Sequence, residues 1–209
     1  MSELRAALTS RRATVQLGRA LARVSRAGGL IVLDGPLGAG KTFLTRALCR
    51  ELGVPGELPV TSPTFALVQE HAARLRVLHA DLYRLGSADE VFELGLEAAR
   101  REGALLVVEW GRPYLGELGG DALIVSWESP LTTRRVLLQA TGEGARTVLD
   151  ALPEALRGLR WRAPLSLSGS LTTDAHTTGA PTQGGAPADA WTQGAPRALH
   201  CEPGTEGSA

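Results

Sequence analysis

Asparagine is missing from this 209-residue chain and lysine is nearly so: of its 22 basic residues, Lys41 alone is a lysine and the others are arginines. Acidic side chains also number 22, which leaves no net charge. A protein that grips nucleic acid by bulk charge must neutralise many phosphates, so this balance excludes that mode and leaves room only for a local basic patch. Cysteine is scarce too, with only Cys49 and Cys201. Two cysteines cannot build a disulfide framework, and a reducing cytosol is the compartment they suggest. Long apolar runs are absent: Ala104–Val108 is among the longest, against about 20 residues for a membrane-spanning helix. The arginines of Met1–Arg12 are not followed by an apolar stretch, so no secretory leader is expected and the location is expected to be cytoplasmic. What the chain does have is 44% hydrophobic residues, enough for the core of one ordinary domain with additions or of two small domains.

The organisation changes near residue 163. From Ala163 to Ala209, 32 of 47 residues are Gly, Pro, Ala, Ser or Thr, too little apolar side chain to offset the entropy of ordering, so the segment reads as a disordered low-complexity tail. Its Gly-Ala-Pro triplet recurs three times, and its His176, His200 and Cys201 are too scattered for a metal site. One arginine against four acids leaves the tail at −3 and residues 1–162 at +3. Residues 1–162 alternate between helical and strand patterns, which predicts an α/β domain with a mostly parallel sheet flanked by helices. Helices are predicted over Ala13–Val24, Lys41–Leu52, Ser87–Arg101 (capped by Ser87 and Glu90, broken at Gly95) and Gly144–Leu159. Strands are predicted over Leu30–Leu33, Phe65–Gln69, Leu75–His79 and Ala104–Glu109. Leu123–Trp127 and Arg134–Ala140 read as a C-terminal antiparallel pair turned at Ser129–Pro130.

The chemistry begins where the first buried strand meets a helix. Gly35, Pro36, Leu37, Gly38, Ala39, Gly40, Lys41 and Thr42 spell G-x-x-x-x-G-K-T, a phosphate-binding loop in its proper strand-to-helix setting, with Phe43 next on the helix. Glycines let successive backbone N–H groups turn toward phosphate oxygens, and the helix N-terminus adds partial positive charge. Lys41 is placed to reach the β- and γ-phosphates and the Thr42 hydroxyl to ligate Mg²⁺. The guanine-reading element of GTPases needs a second lysine, which this chain lacks, and that points to ATP. A carboxylate at the end of a neighbouring strand must complete the magnesium site. Leu105–Glu109 and Val77–Asp81 both end an apolar run in an acid, so Glu109 and Asp81 compete for that place, the other being free to orient water. Two other classes of function use the same loop. A small-metabolite kinase would draw phosphate clamps from Arg100–Arg101 or Arg134–Arg135, and a nucleotide-gated binding protein would not hydrolyse at all.

The phosphate loop, Thr61–Phe65 (Thr-Ser-Pro-Thr-Phe), His79–Leu85 (His-Ala-Asp-Leu-Tyr-Arg-Leu), Leu94–Leu96 and Val108–Trp110 follow one another in an order and spacing that resembles the TsaE family, the bacterial ATPases of tRNA threonylcarbamoyladenosine biosynthesis. The resemblance spans roughly residues 10–160. It implies that Thr42 and Glu109 ligate Mg²⁺ and that Thr61–Phe65 is a switch-like loop with Thr64 on the γ-phosphate side. It implies further that Asp81 serves hydrolysis and that Trp110 lies beside the nucleotide and matters for activity. Lys41, Asp81, Glu109 and Trp110 are then the catalytic set. The partner implied is the TsaB–TsaD complex, with tRNA met only through that complex and no membrane involved; ATP hydrolysis would reset the complex between turnovers. His79 and Tyr83 read as residues of packing and strand-edge hydrogen bonding, Glu70 and Glu93 as solvated charge. The arginines of the first helix (Arg11, Arg12, Arg19, Arg23, Arg26) read as a solvated face.

Overall fold

The middle of the molecule is carried by mostly apolar runs that each end in an acid, Leu30–Asp34, Val77–Asp81 and Leu105–Glu109. In chain order the strands are β1 (Glu3–Ala7), β2 (Leu30–Asp34), β3 (Val68–His71), β4 (Val77–Asp81), β5 (Leu105–Glu109), β6 (Leu123–Glu128), β7 (Arg135–Ala140) and β8 (Leu167–Ser168). The helices are α1 (Arg11–Val24), α2 (Lys41–Leu52), α3 (Ala88–Glu93), α4 (Leu96–Arg101) and α5 (Glu143–Arg157). The computed structural model describes residues 3–128, 135–159 and 167–168. Its eight strands form one sheet in the order β3-β4-β5-β2-β6-β7-β1-β8. The four central strands, β4, β5, β2 and β6, run parallel. Both flanks are antiparallel, with β3 on β4 at one side and β7, β1 and β8 in succession at the other. Strands β4 and β5 are buried along their whole length, as parallel strands covered on both faces must be.

Side-chain alternation divides the core into two layers. Ile31, Leu33, Leu105, Val107, Leu123 and Val125 pack under α1, α2 and α5. Val32, Leu106, Val108, Leu78 and Ile124 face the opposite way, under Val91, Leu96 and Leu118. Gly18 is what lets α1 lie close against α2: a Cβ there would sit 2.7 Å from that of Ala47 and 2.9 Å from the Leu44 carbonyl. On the outer surface of this helix pair, Arg19 and Arg23 both reach Glu51 of α2, so part of the arginine face is engaged within the molecule.

Several sequence expectations shift at the edges. The strand expected from Phe65 begins instead at Val68, because Pro63 starts a turn in which its carbonyl accepts the Leu67 N–H at 2.6 Å. Leu67 adopts φ +62° and Phe65 stands 86% exposed. The expected Leu75–His79 strand slides to Val77–Asp81. β1 was not anticipated, and β8 lies beyond residue 162, where the sequence pattern ends the domain; its backbone pairs with Arg5 and Ala6. The described residues all belong to one compact unit. Arg134, the Ser129–Pro130 turn and nearly all of the expected 163–209 tail lie outside the described residues. Among the described residues, no helix is long and apolar enough to cross a membrane.

Candidate functional site

The parallel strands all deliver their C-terminal ends to one edge, and the sequence motifs gather there. Between β2 and α2 the loop from Gly35 to Thr42 turns through two left-handed glycines, Gly38 (φ +76°) and Gly40 (φ +107°). At the base of the loop, a Cβ on Gly35 would meet the Trp127 Cβ of β6 at 2.9 Å. Leu37 forms the crest, almost wholly exposed. Gly40 is the N-cap of α2 and offers no side chain to cap it. The first N–H groups of α2 have no intrahelical acceptor by construction, and with the helix dipole they make an anion seat.

Lys41 curls back over this seat. Its Nζ donates to the carbonyls of Gly35 (2.7 Å) and Pro36 (3.1 Å) and lies 4.3 Å from the centre of the Trp110 ring. Burial lowers its pKa, an effect that the nearby charges of Glu109, Asp81 and Asp34 partly oppose. These contacts, two carbonyls and an aromatic face, leave its charge available to an incoming anion. Trp110 is held at φ +62°, rare for a non-glycine residue, with its N–H donated to the Leu33 carbonyl (3.1 Å) and its ring against Tyr83, centroids 5.1 Å apart. Phe43 is half-buried on the first turn of α2, beneath the Arg11 guanidinium at 5.2 Å.

The two competing acids end adjacent strands in register, Asp81 directly opposite Glu109, and their surroundings differ. Glu109 is buried; its Oε1 accepts from the Thr42 hydroxyl at 2.7 Å and lies 3.0 Å from His79 Nε2. Asp81 is turned to the Thr61–Phe65 loop instead. Its Oδ2 accepts from the hydroxyls of Ser62 and Thr64, the latter at 3.2 Å, and its Oδ1 from the Tyr83 N–H at 3.1 Å. The sequence places Ser62 in the switch-like loop without a role of its own and gives His79 packing and strand-edge hydrogen bonding, not a bond to Glu109; the spacing of His79, two residues before Asp81 on a buried strand, is the available signal. The Arg84 guanidinium stacks on the exposed Phe65 ring at 4.4 Å.

A hydroxyl and a carboxylate meeting beside an uncapped helix N-terminus supply hard oxygen donors, which suit Mg²⁺ completed by water and phosphate oxygens. No cluster of three His, Cys, Asp or Glu residues able to hold an ion by itself occurs among the described residues.

Residues 8–136 match the family model described as "Threonylcarbamoyl adenosine biosynthesis protein TsaE". Relatives named tRNA threonylcarbamoyladenosine biosynthesis protein TsaE include one from Streptomyces coelicolor, 46% identical over 112 residues, covering 52% of this chain and 74% of the relative. The protein of that name from Treponema pallidum is 35% identical over 113 residues, covering 54% and 82%. The one from Rickettsia felis is 38% identical over 147 residues, covering 69% and 84%. The crystal structure of Bacillus subtilis YdiB superposes with a TM-score of 0.59 at 22% identity, covering 74% of this chain and 97% of that one, a likeness of fold.

Proposed function

This chain belongs to the TsaE family, and on that premise we propose that it is a Mg²⁺-dependent ATPase serving tRNA threonylcarbamoyladenosine biosynthesis in the cytoplasm. It would bind the TsaB–TsaD complex and reset it by hydrolysing ATP, meeting tRNA only through that complex. The 2.7 Å hydrogen bond between Thr42 and Glu109 carries this reading, because it joins the phosphate loop to the acid that a magnesium nucleotide requires. The residues Gly35 to Phe43 would seat the phosphates, with Lys41 leaving the Gly35 and Pro36 carbonyls for the β- and γ-phosphate oxygens. Mg²⁺ held by Thr42 and Glu109 would neutralise charge on those oxygens. Trp110, already against the Lys41 ammonium, would close the site beside the nucleotide.

Asp81 would serve hydrolysis, near the attacking water or around the metal's own ligands. Its carboxylate is engaged by Ser62 and Thr64, so that service requires the Thr61–Phe65 loop to release it. Thr64 turning toward a γ-phosphate would do so, and loss of the phosphate would let the loop return; the nucleotide state would thus bias two loop positions. The test is phosphate release from ATP and Mg²⁺, first by this protein alone and then with TsaB–TsaD added. Slow release that rises clearly with the complex is the expected result. Brisk release unchanged by the complex would overturn the proposal and favour a self-sufficient enzyme such as a metabolite kinase.

A further inference from the structure

Building on the assignment of Thr42 and Glu109 as the metal-binding pair, we infer that His79 is a positioning residue that aims Glu109 and so sets the affinity for the divalent cation. His79 sits in the middle of β4 with no exposed surface, opposite Val107 of β5 and one pleat behind Glu109 on the same face. Its Nε2 lies 3.0 Å from Glu109 Oε1. An ionised carboxylate only accepts, so Nε2 carries the proton and donates it. The other nitrogen, Nδ1, is buried without a partner. An unpaired buried polar atom of this kind costs about 1–3 kcal/mol, in a layer whose neighbours include Val77, Val107 and Leu105. An aliphatic side chain would fill that slot without the penalty, so stability does not account for the imidazole.

The bond to Glu109 does account for it. Thr42 has two duties, its oxygen toward the cation and its proton toward Glu109, whereas His79 serves the carboxylate alone, from a strand with sheet neighbours on both sides. Outer partners of metal ligands commonly change metal affinity by about 10–100-fold when removed.

Full-length His79→Leu and His79→Gln proteins test this, with Mn²⁺ binding to the protein–ADP complex followed by electron paramagnetic resonance. ADP affinity in EDTA is measured by calorimetry on the same samples. His79→Leu is expected to weaken Mn²⁺ binding by about 10–100-fold while ADP affinity in EDTA is unchanged. His79→Gln, whose amide N–H can reach Glu109, is expected to recover most of the loss. Should His79→Leu fail to fold, His79→Asn replaces it: one methylene shorter than Gln, it is expected to bind Mn²⁺ more weakly than His79→Gln. Wild-type Mn²⁺ affinity in the Leu variant, or equal affinity in the Asn and Gln variants, would overturn the inference. Glu109→Ala separates the two levels. If it abolishes Mn²⁺ binding while His79→Leu leaves it intact, only the role of His79 fails; if it too binds Mn²⁺ normally, the metal-binding pair itself is wrong.

Discussion

Helices α2 and α5 begin alike, each with a glycine at the N-cap and no side chain of that residue to satisfy the first N–H groups. They differ in what meets those groups. At α5, Asp121 reaches across from the segment before β6, and its two oxygens accept from the Gly144 and Ala145 N–H groups, each at 2.8 Å. The fit is close: a Cβ on Gly142 would lie 2.5 Å from the Asp121 carboxylate. At α2 nothing comparable arrives from the described residues, and Cβ atoms added to Gly38 or Gly40 would meet none of their atoms within 4 Å. The same physical device, an anion on a helix N-terminus, is thus closed by the protein at one end of the sheet and left open at the other. An unfilled cap at α2 is a cost to the fold, and it marks the edge where a ligand is expected to contribute the missing acceptors.

Breaking the open end should have the largest effect. Lys41→Ala is expected to cut ATP turnover by about 10²–10³-fold with little change in melting temperature, checked by phosphate release and a thermal melt. Asp121→Ala tests the closed end. It should lower stability by about 1–3 kcal/mol by leaving two helix donors without their acceptor, as read from urea unfolding, while nucleotide affinity stays as it was. A shift in that affinity would mean that the two ends are coupled. Gly40→Ala sharpens the contrast from the other side. The added methyl meets no protein atom, so the expected loss of about 1–2 kcal/mol without nucleotide comes from the left-handed backbone alone, and the stabilisation that added nucleotide gives should fall as well, because Gly40 belongs to the phosphate seat.

The smallest effect concerns α3, whose N-terminus is capped in solvent by Ser87 and Glu90. The Gly86 and Ser87 N–H groups hold the Glu90 carboxyl below its ordinary 4.5. Since the folded form binds its proton less readily, this contribution is fully present above pH 4.5 and fades as pH falls through the lowered value. A thermal melt followed against pH should show a slightly shallower acid limb in Glu90→Gln than in the wild type.

Features were legible in the sequence where their causes are local. Gly38, Gly40 and Lys41 declare their turn within eight residues, and the Ser87–Glu90 cap and the break at Gly95 lie within one short stretch. The run Leu105–Glu109 announced both a central strand and an acid at the sheet edge, and the structure brings that acid to Thr42. What escaped depends on partners distant in the chain. Glu3–Ala7 has weak strand propensity and becomes a strand because β7 lies alongside it. Phe65 favours a strand by type, yet Pro63 and the turn closed by Leu67 override it. Asp121 caps a helix that starts more than twenty residues later, so no capping signature could reveal it. The engagement of Asp81 by Ser62 needed the loop's path, which no spacing in the sequence specifies.

The place of β1 has a consequence for how this protein is made. Its register joins Glu3 to Gln139 and Ala7 to Arg135, so this strand leaves the ribosome well ahead of its partner. At roughly 5–20 residues per second, that interval is on the order of ten seconds, during which β1 is without its β7 partner. The parallel half of the sheet has every strand it needs once β6 has emerged, ahead of β7. Synthesis therefore makes the parallel strands and the phosphate loop available before the antiparallel wing is complete.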